Sequence, residues 1–172
     1  MKTPASRDED GPAPVLGVVH ATVPGAAHTH VLPALYGHVT VPPPVIAELS
    51  RAQTPDRVRT WVANSPDWLY VQAPAKALDV VRRDLGAGER DAIGLAVEVS
   101  ADALLVDDRD ARREAERLGL PVLGTLRVLA DASEHGFADL AVAFARLRQT
   151  NFRASDQLLN QLLNHVARRR AE

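Results

Sequence analysis

The chain has 172 residues, the length of one ordinary domain, which is enough to bury a hydrophobic core without covalent cross-links. It contains no cysteine, which excludes a disulfide framework, thiolate metal ligands and a cysteine nucleophile. Its 20 Lys and Arg residues and 22 Asp and Glu residues give a net charge of −2, which excludes a polycation that coats nucleic acid. No apolar run reaches the ~20 residues of a membrane helix, so we expect a cytoplasmic protein without membrane contact.

Strands and helices alternate along the predicted chain. Residues 1–14 are polar and end in a Pro/Gly hinge, so we expect a disordered leader followed by a single domain over residues 15–172. Short runs rich in β-branched residues predict strands at Val15–Val23, His38–Val41, Trp68–Gln72, Ala103–Val106 and Pro121–Leu123. Helical spacing of apolar residues predicts helices at Pro43–Ala52, Asp56–Ala63, Ala75–Leu85, Gly88–Val99, Asp110–Leu118, Thr125–His135, Ala138–Arg148 and Ser155–Arg169. This alternation predicts an α/β fold with a mostly parallel sheet covered on both faces and extra helices at the C-terminus.

Two carboxylates follow the predicted strand at Ala103–Val106. Asp107 and Asp108 come at its carboxyl end, the edge at which parallel sheets hold their ligand sites. Two adjacent carboxylates repel each other unless a cation or hydrogen-bond donors compensate them, and a divalent metal with oxygen ligands would do so. The alternative is that Asp108 caps the following helix while Asp107 is solvated.

Three further acids lie on two other predicted helices. Glu89 and Asp91 fall in the first turn of a helix that two glycines introduce, where acidic residues complement the helix dipole. Glu89 also lies three and four residues before core-facing positions of that helix, which favours a buried role over a solvated one. Glu48 lies beside the apolar face of the short helix near Pro43 and, taken alone, is typical of a surface residue.

Three segments in order, VPPPVIAEL, LGAGERDAIGLAVE and ALLVDDRDARREAERLGLPVLGTLRVL, carry a family resemblance. They resemble the PIN-domain superfamily, and more narrowly a prokaryotic PIN-like family related to the toxins of toxin–antitoxin pairs, over about Val31 to Leu163. The resemblance implies a three-layer α/β/α ribonuclease that cleaves single-stranded RNA with Mg²⁺ or Mn²⁺. It also implies an antitoxin protein as partner and a homodimer. It assigns catalysis and metal binding to Glu48, Glu89 and Asp108, with Asp91 and Asp107 as supporting metal ligands.

The start of the chain departs from the family pattern. Ala21 stands where the family has the aspartate that ends its first strand, and the helix expected after it is short. One interpretation is a degenerate PIN-like module that binds a partner without hydrolysis; another is an altered reading frame upstream of Val31. His28 and His30 are compatible with a metal site, although loop histidines are the simpler interpretation.

Basic residues lie beside the acidic strand end. The helical spacing of Arg109, Arg112 and Arg113 predicts contacts with RNA phosphates, because the guanidinium fork matches phosphate oxygens. The alternative is a solvated helix face on which Glu114 and Glu116 alternate with the arginines. A leucine stripe in residues 155–169 predicts a helix packed on the body of the protein, the alternative being a helix that binds a partner.

Overall fold

The computed structural model describes residues 15–17, 30–76, 81–150 and 152–170, the first of these ranges by its backbone alone. Five strands lie within these ranges: β1 Val15–Gly17, β2 Val39–Val41, β3 Leu69–Val71, β4 Leu104–Leu105 and β5 Val122–Leu123. The helices of the same ranges are α1 Val31–Tyr36, α2 Pro43–Leu49, α3 Asp56–Ala63, α4 Ala87–Glu98, α5 Arg109–Arg117, α6 Thr125–Glu134, α7 Leu140–Leu147 and α8 Asp156–Arg169.

The strands form one sheet in the order β3-β2-β1-β4-β5, and every pair is parallel. All three residues of β2 and both residues of β4 are buried, which explains their unbroken runs of apolar or small residues. The chain passes from β1 to β2 and β3 on one side of β1, then crosses to β4 on the other side. The strand order therefore reverses between β1 and β4, and the carboxyl edge there is where open α/β sheets bind ligands.

Helices pack on the sheet and against one another. Helix α4 packs on β1 and β4 and contacts α2 and α5, while α1 packs on β2 and contacts α6. The main core lies between these layers and is centred on Ile93, Leu95 and Leu104, which are fully buried. This arrangement confirms the predicted three-layer α/β/α class.

A second hydrophobic cluster joins α6, α7 and α8. Leu129, Phe144, Leu159 and Val166 are buried in it. Apart from the exposed Leu158, the apolar stripe of α8 thus packs on the body of the protein, which confirms that interpretation of residues 155–169.

One predicted helix is wrong and one observed helix was not predicted. Ala75, Lys76 and residues 81–85 form bends and turns, and the remaining residues of the predicted Ala75–Leu85 helix lie outside the described ranges. The backbone N–H of Arg82 donates to a side chain of α5 instead of to a helix of its own. Helix α1 was missed because it is six residues long, contains a proline and has no side-chain cap. The predicted leader and residues 18–23 of the strand predicted at Val15–Val23 lie outside the described residues.

Candidate functional site at the carboxyl edge of the sheet

Asp107 connects the end of β4 to the start of α6. Its Oδ1 accepts the backbone N–H of Thr125 at 2.9 Å, and its Oδ2 accepts the hydroxyl hydrogen of the same threonine. Thr125 is the first residue of α6 and is buried. The alternative of a solvated Asp107 is therefore wrong in this part, because both of its oxygens receive hydrogen bonds from within the protein.

Asp108 is the N-cap of α5. Its Oδ1 accepts the backbone N–H groups of Asp110 and Ala111, each at 2.9 Å, which satisfies two donors that the helix itself leaves unpaired. This confirms the capping interpretation. The second oxygen, Oδ2, receives no hydrogen bond from any residue that the structure describes, and it remains available for a cation.

Glu89 lies in the first turn of α4, and Glu48 of α2 lies next to that turn. A Cβ added to Gly88 would lie 3.0 Å from Val45 Cγ2 and 3.5 Å from Glu48 Oε2, so α2 and its carboxylate approach the start of α4 closely. Glu89 Oε2 accepts the backbone N–H of Gly86 at 2.8 Å and closes that turn. The two carboxylates thus flank the positive end of one helix, and both are half-buried.

The three predicted RNA-binding arginines differ in their surroundings. Arg109 and Arg113 are exposed, and Arg113 Nη1 is 3.9 Å from Asp110 Oδ1, which is a weak surface pair. Arg112 is half-buried, and its Nη1 donates to the backbone carbonyl of Val106 at 3.1 Å. Only two of the three guanidinium groups are therefore turned to solvent.

A sequence-family model for PIN domains (DUF3368) matches residues 25–168, which is most of the chain. The chain belongs to the PIN-domain family. A PilT N-terminus domain protein from the hyperthermophilic archaeon Sulfolobus solfataricus P2 has a similar solved structure, with a TM-score of 0.51 and 17% sequence identity. The similarity covers 73% of this chain and 98% of that one, and it concerns the fold alone. No curated protein sequence matches the chain significantly.

This membership confirms the resemblance that three sequence segments carried. PIN domains are generally nuclease-like and usually bind a divalent metal. The question for this chain is therefore whether its acidic side chains could bind such a metal. Within the described ranges, no helix is long and apolar enough to span a membrane.

The carboxylates of this PIN domain are the right type of ligand for a divalent metal, but they are not clustered as a metal site requires. Every candidate ligand is a carboxylate, and hard cations such as Mg²⁺ prefer oxygen. However, no three His, Asp or Glu side chains of the described ranges stand close enough together to hold a metal ion. Asp91 is half-buried on α4. Of the two histidines considered as metal ligands, His30 is described, and its Nε2 lies 3.5 Å from the Phe137 carbonyl oxygen. His28 lies outside the described residues, as does Ala21, the position of the missing aspartate.

Glu114 is a buried acid that sequence reasoning placed on a solvated face. It is 2% exposed and accepts two hydrogen bonds from Arg117, at 2.9 and 2.8 Å, and one from the backbone N–H of Arg82, at 2.9 Å. The hydrogen bonds from Arg117 outweigh the cost of burial and lower the pKa of Glu114 to about 2. Its spacing from the buried Ala111 and the nearby Arg117 is the sequence signal that could have identified it.

Proposed function

We propose that this PIN domain is a metal-dependent endoribonuclease that cleaves single-stranded RNA. Glu48, Glu89 and Asp108 would hold Mg²⁺ or Mn²⁺, with Asp91 and Asp107 in support. The observation that carries the proposal is that carboxylates from three separate segments lie on neighbouring elements: α2 packs on α4, and α4 packs on β4. Because α4 follows a parallel strand, it starts at the carboxyl edge where Asp108 lies.

The chemistry assigned to these residues follows from the reaction. A divalent metal held there would lower the pKa of a bound water and would offset negative charge on the phosphoryl group. The carboxylates would bind that cation, and the exposed Arg109 and Arg113 would hold the phosphate backbone near Asp108. The resemblance to toxins of toxin–antitoxin pairs extends the proposal to a cytoplasmic protein with an antitoxin partner and a homodimeric state.

The test is Mn²⁺ binding by calorimetry, followed by cleavage of single-stranded RNA, for the wild type, Asp108→Asn and Asp102→Asn. Asparagine caps helices as well as aspartate does, so Asp108→Asn keeps α5 intact while it removes the charge. Asp102 is exposed and precedes β4, at the opposite edge of the sheet, which makes its variant the matched control.

The expected result is Mn²⁺ binding that Asp108→Asn weakens at least tenfold and Asp102→Asn leaves unchanged, with RNA cleavage following the same pattern. Equal binding and cleavage by all three proteins would reject Asp108 as a ligand.

A second function has its own supporting observations: a PIN-like module that binds a partner without cleaving RNA. Ala21 replaces the first-strand aspartate of the family, and hydrogen bonds within the protein already occupy both oxygens of Asp107. Folded wild-type protein that binds no Mn²⁺ and cleaves no RNA would favour this function over the nuclease.

A further inference from the structure

Arg112 reaches back from α5 to the end of β4. Its Nη1 donates to the carbonyl of Val106, a residue that is 1% exposed and directly precedes Asp107. This hydrogen bond to a buried backbone carbonyl restrains the guanidinium group, whereas the side chains of Arg109 and Arg113 are exposed to solvent. The side chain of Arg112 is thus directed toward the sheet.

Gly124 provides the space for this arrangement. A Cβ at Gly124 would lie 3.0 Å from Arg112 Nη1, 3.0 Å from Asp107 Oδ1 and 4.0 Å from the Val106 carbonyl oxygen. The backbone angles of Gly124, φ −114° and ψ 164°, are open to any residue, so packing and not conformation calls for glycine here. The guanidinium and the carboxylate therefore flank the residue that caps α6.

Hydrogen bonds continue from there into α6. Asp107 accepts both the N–H and the hydroxyl hydrogen of Thr125, so the end of β4 is tied to the start of α6 on one side and to α5 through Arg112 on the other. Asp108 is the next residue of the chain and directly follows Asp107.

We infer that Arg112 is a positioning residue, which with Asp107 and Thr125 fixes the β4 end that presents Asp108 to the cation. As far as it concerns the cation, the inference rests on the proposed function. It assigns Arg112 to positioning and keeps Arg109 and Arg113 as the proposed contacts to RNA. Asp107 then serves as an anchor of α6, and Asp108 is the member of the acidic pair with a free oxygen.

The test compares Arg112→Met, Arg112→Lys and Arg113→Met with the wild type. Methionine keeps the apolar stem and removes the donors and the charge, lysine restores one donor, and Arg113 is the exposed control on the same helix. Three quantities are measured: the Kd for Mn²⁺, the salt dependence of binding to a labelled oligouridine, and amide hydrogen exchange along the chain.

For Arg112→Met we expect Mn²⁺ binding about tenfold weaker, as is usual when a residue that orients a ligand is lost, with partial recovery in Arg112→Lys. Its salt dependence of oligouridine binding should equal that of the wild type. Exchange should accelerate only in peptides that cover residues 104–112 and 122–128. Arg113→Met should do the opposite: the slope of log K against log salt falls by about 0.7, as for one lost phosphate contact, and Mn²⁺ binding is kept.

Two results would overturn the inference. One is an Arg112→Met variant that behaves like Arg113→Met, and the other is exchange that is unchanged or rises uniformly along the chain. If the wild type binds no Mn²⁺, the proposed function fails, and exchange alone then decides the positioning role: local acceleration at the two junctions supports it.

Discussion

The carboxyl edge of the sheet and the α6–α8 cluster are held together by different kinds of contact. In the α6–α8 cluster, Leu129, Phe144 and Leu159 are buried against one another, and the stabilisation comes from apolar surface removed from water. At the carboxyl edge, Asp107 and Arg112 make directional hydrogen bonds to groups on neighbouring elements. The first region tolerates small shifts of side chains, whereas in the second a shift of a few tenths of an ångström removes a bond.

This difference predicts how each region responds to mutation. Loss of an apolar side chain from the cluster should lower the free energy of unfolding without affecting ligand binding by the folded protein. Loss of a polar side chain at the edge should cost less stability and change the function more.

The largest effect is expected from Phe144→Ala. Phe144 is 3% exposed, so its removal should lower the free energy of unfolding by about 3–5 kcal/mol through lost burial and the cavity left behind. Urea denaturation followed by circular dichroism measures it. Val142→Ala, at an exposed position of the same helix, should stay within about 0.5 kcal/mol of the wild type. A similar small loss in both variants would show that the cluster does not stabilise the fold.

A smaller effect with a pH signature is expected from Glu114→Gln. Removing the charge weakens the hydrogen bonds from Arg117 and should cost about 1–3 kcal/mol at pH 7. The pKa of Glu114 is lowered from 4.5 to about 2 in the folded protein. Its contribution is therefore fully present above pH 4.5 and is lost as the pH falls toward 2.

The measurement is urea unfolding of the wild type and Glu114→Gln at pH 7 and at several values down to pH 2.5. The stability difference between the two proteins should shrink as the pH falls. Glu116→Gln, an exposed neighbour, should match the wild type throughout. A difference that is constant with pH would contradict the assigned pKa direction.

The smallest effect separates the two roles of Asp108. Asp108→Ala removes the cap of α5 and should cost about 1 kcal/mol, whereas Asp108→Asn should cost close to nothing. Thermal unfolding of both variants measures how much the cap contributes to stability. Mn²⁺ binding measures how much the carboxylate charge contributes to cation affinity. If both substitutions reduced stability equally, the carboxylate charge rather than the cap would be the stabilising feature.

The sequence alone predicted the helices correctly where the spacing of apolar residues determines which face is buried. Helix α4 was predicted within one residue at each end, because its apolar positions repeat at helical spacing and glycines precede it. The prediction failed at residues 75, 76 and 81–85, which form bends and turns, and the backbone N–H of Arg82 there donates to the side chain of Glu114. A contact across 32 residues leaves no mark in a local pattern.

For the candidate site, the sequence indicated which carboxylates to consider but not the hydrogen bonds that they make. The cap at Asp108 was one of the two interpretations that the sequence offered, because capping depends only on the next three residues. The partner of Asp107, Thr125, is 18 residues away and could not be read from the sequence. The same holds for Arg112, since helical spacing shows which side chains share a face and not which carbonyl one of them reaches.

Helix α6 is apolar on two sides, and this limits where the chain can be shortened. Val128 and Ala132 belong to the main core, while Leu129 and Ala130 belong to the cluster with α7 and α8. A truncated chain ending after α6 would therefore expose Leu129 and Ala130 to water as part of an apolar surface patch. The last two helices thus cover an apolar face of α6, and we expect a variant that lacks them to aggregate.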